Sequence, residues 1–495
     1  MFVKGISYSY IVIIISVIVG FISIPLLLDM LGAELFGVWI LAQSVSGYIN
    51  QFSFGVPSAT GVLMAKSSSR LESSDILKKT SVILLVVVCF VLIISVFLYP
   101  LVVENKETLL NVSKENIDKS FLTIIVIASL TLVQIPFNNA SQAFIGMGHI
   151  YLERIYYAIS LIASLISLYW SKSQEYEIVK VALLFMLASI IVKIISTVHV
   201  FFKYKKPKKY NLNHKVQSYA KIISSSKAFF YIGICATFVY NIDVILIAYF
   251  MDIQFVTQYS LVFKIIGYMI LFIGTINSVL APKYGYYQSL NKWKDLNVLY
   301  SRALFLIPIA SSVLMMFCVL FINDIQYYWL GSKDNYAGIV VVVIFSYYIY
   351  IGSFINTYAT LINSLDMAKK AIHITLLEGM SNLLITFFLI KAYGIIGAAM
   401  GTLIAAFFTS YLMLPRLIKK ITDGKIDESS IVSFHTKLFL YVMTPFLMVF
   451  SVISNGSELY IKVFLFFIYI LILTLVLVRS KLYKTLSIDK FYSWI

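Results

Sequence analysis

Residues 202–227, FKYKKPKKYNLNHKVQSYAKIISSSK, form the longest basic stretch of the chain, with lysines at Lys203, Lys205, Lys206, Lys208, Lys209, Lys215, Lys221 and Lys227. A long series of apolar segments runs on each side of it. The stretch therefore reads as the joint between two halves and as the strongest fixed point for orientation in a membrane, since Lys and Arg near spans are retained on the cytoplasmic side.

The flanking series set the class. Hydrophobic residues make up 60% of the 495 and charged residues 13%, with a mean hydropathy of +0.90. That is more apolar surface than a soluble core buries. A helical span needs about 20 apolar residues, and runs of that size recur from end to end. Cut at charges, Gly and Pro, they predict about 14 transmembrane helices at 7–28, 38–65, 81–103, 120–145, 155–171, 178–202, 228–250, 258–281, 303–323, 338–362, 372–390, 394–415, 434–453 and 460–478. The expected organisation is an N-terminal lobe over 1–202, the basic connection 203–227, a C-terminal lobe over 228–415, and two further helices with a tail over 416–495.

An even count puts both termini on one side. The termini and the connections on their side hold 27 of the 39 Lys and Arg residues, and the opposite connections hold 8. The other four, Lys193, Lys227, Lys264 and Lys437, fall within or at the ends of spans. This asymmetry predicts cytoplasmic termini. The net charge of +16 thus faces lipid headgroups, and no nucleic-acid partner is expected. The first apolar run is too long for a signal-peptide core and reads as a retained helix. Cys89, Cys235 and Cys318 lie in separate spans and suggest neither a disulfide nor a metal site.

A weak internal repeat lies at an offset of about 220 positions. It sets Leu31–Tyr48 over Met251–Tyr268, with Gly47 on Gly267 and Tyr48 on Tyr268, and an offset of about 218 sets Asn138 on Asn356. Six helices per half with cytoplasmic ends on both predict a parallel repeat, two six-helix lobes about a pseudo-two-fold along the membrane normal.

Ionisable residues inside spans cost about 2.5–3.5 kcal/mol each on insertion scales, so they select themselves as candidates. Lys193 falls mid-depth in the sixth span, where an aqueous cavity is its most economical neighbour. Asp243 and Lys264 flank one outer connection at equal depth, about 10 Å in at 1.5 Å per residue. They either pair to fix the hairpin or line a polar cavity, the carboxylate coupling to an ion and the ammonium meeting an anion. Glu378, in LLEGMSN, either takes up a proton or makes an interhelical hydrogen bond to Asn or Tyr. Amides recur inside spans, Gln134, Asn138, Asn139, Asn277, Asn356 and Asn382 among them. They suit sugar hydroxyls and serve equally as glue between helices. No phosphate loop, zinc-protease motif or dinucleotide fingerprint occurs, so neither an enzyme nor a pump with its own nucleotide site is expected, and no cofactor or metal.

The segment LGAELFGVWILAQSVSGYINQFSFGVPSA at 31–59, NTYATLINSLDMAKK at 356–370 leading to EGMSN, and YGIIGAAMGT at 393–402 together resemble bacterial polysaccharide-export flippases of the O-antigen transporter type. The resemblance implies a multidrug/oligosaccharidyl-lipid/polysaccharide exporter fold, two lobes around a central cavity, in a bacterial inner membrane. It implies an undecaprenyl-pyrophosphate-linked oligosaccharide as substrate, membrane lipids as surroundings, and a polysaccharide polymerase and chain-length regulator as partners. Of the site residues the resemblance carries over only Asp243, which is followed by VTQY at 256–259; read from the residues themselves, Lys193, Lys264, Asn138 and Asn356 are expected to line the substrate cavity, with Asp243 and Glu378 as ion-coupling candidates. The chain lacks the arginine set of lipid II flippases in its first lobe. The alternative is a cation-coupled exporter of drugs or metabolites on the same fold, whose cavity is expected to be smaller, apolar and acidic. A membrane glycosyltransferase or polymerase would need a large outer loop, and the longest here runs only from Glu104 to Lys119.

Single cysteines at Lys206 and Lys420 should react with a membrane-impermeant reagent only from the cytoplasm, and one at Asn455 only from outside. Labelling of Lys206→Cys in intact cells would overturn the orientation. For the hairpin, Asp243→Asn should leave protein levels intact while weakening function, and the exchange Asp243→Lys with Lys264→Asp should rescue nothing. A closed pair would instead make each single change cost about 3–5 kcal/mol and the exchange restorative.

Overall fold

A computed structural model describes residues 2–67, 69–203, 218–331, 335–426, 439, 442–443 and 459–479, the side chains of 2–7, Tyr240, Val476 and Arg479 excepted. Most of the basic connection and most of the predicted span 434–453, with the positions Lys206 and Asn455, lie outside the described residues.

The described chain is helical, as hydrocarbon requires when every backbone polar group must be satisfied within the protein. Its helices are α1 (Phe2–Ile49), α2 (Val56–Ala65), α3 (Arg70–Glu104), α4 (Lys106–Leu109), α5 (Ile117–Gln134), α6 (Asn138–Gly146), α7 (Ile150–Ser173), α8 (Ile178–Lys203), α9 (Tyr219–Phe250), α10 (Gln254–Ser289), α11 (Trp293–Leu330), α12 (Ile339–Ser364), α13 (Ala368–Ala406), α14 (Leu412–Ile421) and α15 (Leu459–Arg479). Ten helices among the described residues are long and apolar enough to cross a membrane. Two of the longest contain breaks where separate spans were expected. α1 kinks at Gly32 (φ 71°), between two predicted spans, and α13 at Gly394 (φ 57°), the first residue of the predicted span 394–415. With these breaks, thirteen of the fourteen predicted spans have a helical counterpart among the described residues.

The chain divides into two compact units, Met1–Thr257 and Gln258–Ile495. In the first, α1 packs on α5, α7 and α9, α2 on α6 and α9, and α8 on α5 and α7. The α2–α6 crossing is close because glycine faces glycine: a Cβ on Gly146 would strike the backbone of Gly61, the small-residue contact that lets membrane helices approach. An apolar cluster of Leu63, Met64, Leu77, Phe144 and Val200 fills the space beside it. α3 starts with a capping arrangement, Ser69 Oγ accepting from the Glu72 amide at 3.2 Å.

One end of this unit is stitched together. Asp29 pairs with Lys172 at 2.6 Å, Lys119 with Glu177 at 3.1 Å, and Lys106 with Asp118. Glu34 accepts from the Ser113 amide at 2.6 Å and from Asn116 Nδ2 at 2.7 Å. Asn111 donates to the Tyr249 carbonyl at 2.9 Å and accepts from the Ile253 amide at 3.1 Å, and Thr257 Oγ1 donates to the Ala33 carbonyl at 2.6 Å. The four connections of this unit that charge assigns to the outer side therefore meet at one end, around a cleft of about 690 Å³ lined in part by Glu34, Lys114 and Asp252.

In the second unit, α12 packs between α11 and α13, and α15 lies on α11. Tyr284, Tyr300, Met315, Phe354, Tyr358 and Tyr469 belong to one buried cluster. α13 continues through a π-helical turn, Phe407–Tyr411, into α14.

Candidate functional site

Pro136 has no amide hydrogen and favours a kink or break in the fourth predicted span. That span splits into α5, a 3₁₀ turn at Ile135–Phe137, and α6. The break sets Gln134 and Asn138 on either side of the turn, facing α8. There Lys193 donates to Gln134 Oε1 at 3.0 Å and to Asn138 Oδ1 at 2.8 Å. One helical turn on, Thr197 Oγ1 donates to the Lys193 carbonyl at 2.8 Å. The ammonium lies about 15 Å from the Lys203 end of α8 at 1.5 Å per residue, well inside the span.

Two charge-assisted hydrogen bonds are worth about 1.5–3 kcal/mol each, enough to offset the cost of about 2.5–3.5 kcal/mol for a cation at this depth. The chemistry also orients the amides. An ammonium is donor only, so both oxygens turn toward it and both amide NH₂ groups turn away. The cluster then offers donors to whatever approaches: two NH₂ groups and the remaining ammonium hydrogen. It suits an anion or a hydroxyl-rich ligand, and repels a cation.

Of the residues singled out in the sequence, Lys193 and Asn138 thus come together, and Gln134 joins them. Asp243, on α9 in the first unit, is buried at 5% exposure, while Lys264 belongs to the second unit, on α10, and is exposed. Asn356 is half-buried on α12 beside Gly274. Glu378 is buried on α13 and accepts a hydrogen bond from Ser410. The donor is a serine from the π-helical turn, a turn of the kind frequent at functional sites, rather than the Asn or Tyr expected.

Further polar ties pass unseen in the sequence. Asn139, 1% exposed, donates to Thr80 Oγ1 at 2.9 Å and Ser81 Oγ at 3.2 Å. Gln51 donates to Thr237 Oγ1 at 2.7 Å. Glu153 accepts from Ser141 at 3.1 Å and pairs with Arg154 at 3.3 Å, and Arg154 donates to Ser9 at 3.0 Å. Only the Arg154–Glu153 adjacency has a sequence signal, and an adjacency does not reveal a pair. In the turn between α6 and α7, burial and then the Lys203 and His199 charges hold His149 below the usual imidazole range, so it stays neutral at pH 7.

A family model described as polysaccharide biosynthesis protein matches residues 2–288. Among solved structures the chain is similar to a lipid II flippase, MurJ, in an inward closed conformation, with 14% identity, 98% of this chain and 99% of that chain covered, and a TM-score of 0.70. It is similar to a MOP superfamily transporter from Pyrococcus furiosus at 12% identity, covering 85% of this chain and 94% of that one with a TM-score of 0.55. An outward-facing multidrug resistance MATE family transporter gives 13%, 85%, 96% and 0.56. No curated protein matches. At these identities the likeness to the solved structures is one of fold.

Lys193→Met removes the cost of a cation in the span but leaves two amide oxygens without their donor. The balance of the magnitudes above is a net loss of up to about 3 kcal/mol, read as a lower unfolding midpoint of the purified protein. Lys193→Arg should recover most of it.

Proposed function

The chain belongs to the polysaccharide biosynthesis protein family, and from that premise we propose that it is a flippase. Its substrate is an undecaprenyl-pyrophosphate-linked oligosaccharide, a repeat unit of O-antigen or a similar surface polysaccharide, carried from the cytoplasmic to the outer leaflet of the inner membrane by alternating access. The observation that carries this reading is the donor-only cluster of Lys193, Gln134 and Asn138. A pyrophosphate and a sugar chain have to cross about 30 Å of hydrocarbon and need ammonium and amide donors in place of water. The cluster offers both inside a span.

The remaining assignments follow from the same reading. Lys264 is a second cation for the phosphates, and Asn356 is the second lobe's counterpart to Asn138. Asp243 and Glu378 are the carboxylates available for coupling to an ion gradient. The two lobes are 1–202 and 228–415, with 416–495 outside the repeat, and both termini are cytoplasmic. A polysaccharide polymerase and a chain-length regulator act on the product at the outer face. The alternative, a cation-coupled exporter of drugs or metabolites, is disfavoured by the same cluster, because an array that turns only donors outward does not accept a cationic drug.

Cells lacking the protein should accumulate lipid-linked oligosaccharide on the cytoplasmic leaflet and lose long surface polysaccharide. Intact surface glycan together with new sensitivity to cationic drugs would decide for the exporter. In proteoliposomes, Lys193→Gln keeps donors for both amides but removes the charge, and should slow flipping about tenfold or more, the loss of one charge-assisted contact. Wild-type rates for this variant would remove the cluster from the mechanism.

A further inference from the structure

α14, LMLPRLIKKI, has two chemically opposite faces. Leu414, Pro415, Ile418 and Ile421 are buried, and Leu414, Ile418 and Ile421 share an apolar cluster with Leu296, Leu365 and Ile374. Arg416, Lys419 and Lys420 are exposed on the other face. A free amphipathic helix of this composition would lay its apolar face in lipid. Here that face is occupied by protein, and the exposed residues of the helix are its three cations.

The helix is also held at its end. The chain turns through Asp423 and Gly424, φ 52° and 71°, the Gly424 amide donates to the Lys419 carbonyl at 3.0 Å, and Lys425 lies 4.7 Å over the Trp293 ring at the start of α11. Exposed Lys292 and Lys294 flank that tryptophan, and exposed Lys369 and Lys370 open α13. Because α14 is the last part of the continuous helical segment Ala368–Ile421, its cations emerge where the apolar span ends, at the level of headgroups.

We propose that the basic face of α14 is a docking surface for anionic phospholipid headgroups, a preorganised patch that holds the second unit to the charged surface of its leaflet. Charge complementarity and position select this occupant. Cations fixed within a Debye length of an anionic surface each gain about 1 kcal/mol, roughly a fivefold change in affinity. An acidic protein would have to reach a patch set at the depth of the headgroups. The proposal uses the end of the span, and holds whichever saccharide is carried.

The test uses the full chain in nanodiscs of phosphatidylcholine with increasing phosphatidylglycerol. The unfolding midpoint should rise with phosphatidylglycerol. The rise should vanish when salt is raised from about 0.15 M to about 1 M, which shortens the Debye length from about 8 to about 3 Å. In R416Q/K419Q/K420Q the rise should not occur, because three contributions of about fivefold multiply to a loss of about a hundredfold in affinity, while R416K/K419R/K420R should behave as wild type. An unchanged response in the glutamine variant, or an equal loss on neutralising Lys114, Lys180 and Lys391 instead, would overturn the assignment. So would a wild-type protein indifferent to phosphatidylglycerol, the result expected if an acidic protein were the true partner. The probe contains no saccharide and both faces of the disc are open, so these outcomes are independent of flipping and of orientation.

Discussion

Hydrocarbon gives a backbone no second chance at a hydrogen bond. An unsatisfied amide or carbonyl costs several kcal/mol there, and this one constraint explains both the uninterrupted helices and the character of their interruptions. At two places where the chain leaves the regular helix inside a span, something polar lies close by. At Pro136 the break carries Gln134 and Asn138 onto Lys193. At the π-helical turn Phe407–Tyr411, Ser410 meets Glu378. Irregular backbone at membrane depth is tolerated where protein or a polar cavity satisfies it. The two breaks and the two ionisable side chains are therefore one problem with one solution.

That coupling gives Lys193 its character. A cation alone on an apolar helix is an expense, whereas a cation held by two oxygens becomes a fixed donor array. Its selectivity comes from the ammonium, which accepts nothing and so dictates which way its neighbours turn. An Arg at the same place would also donate only, spreading its charge over a planar fork.

The helical architecture was legible because spans are long and each is read independently, and the glycine breaks at Gly32 and Gly394 fell in and at the edge of gaps already expected between spans. The depth of Lys193 was legible for the same reason. Of its partners, Asn138 was already singled out by the internal repeat, whereas Gln134 was visible only as one member of a roll of amides, because the choice among them depends on a kink that rotates α6 relative to α5. The Ser410 contact had no signal: serine is common in these helices, and a π turn shifts the facing register by a residue without leaving a pattern. Polar ties such as Gln51 to Thr237 join residues far apart in the chain, and nothing local announces them.

The stitched end of the first unit also has an order of assembly. Asp29, Glu34, Lys119, Lys172 and Glu177 are all made before the basic stretch is reached, so the ties among the first three outer connections are complete early in synthesis. The carbonyls of Asn111 and Ala33 wait longer, because the amide of Ile253 and the hydroxyl of Thr257 lie beyond that stretch. The ribosome must therefore pass the joint and insert one more helix before the first unit is finished. A chain cut within residues 204–217 would have every apolar span of its first half and still lack the last stitches of that end.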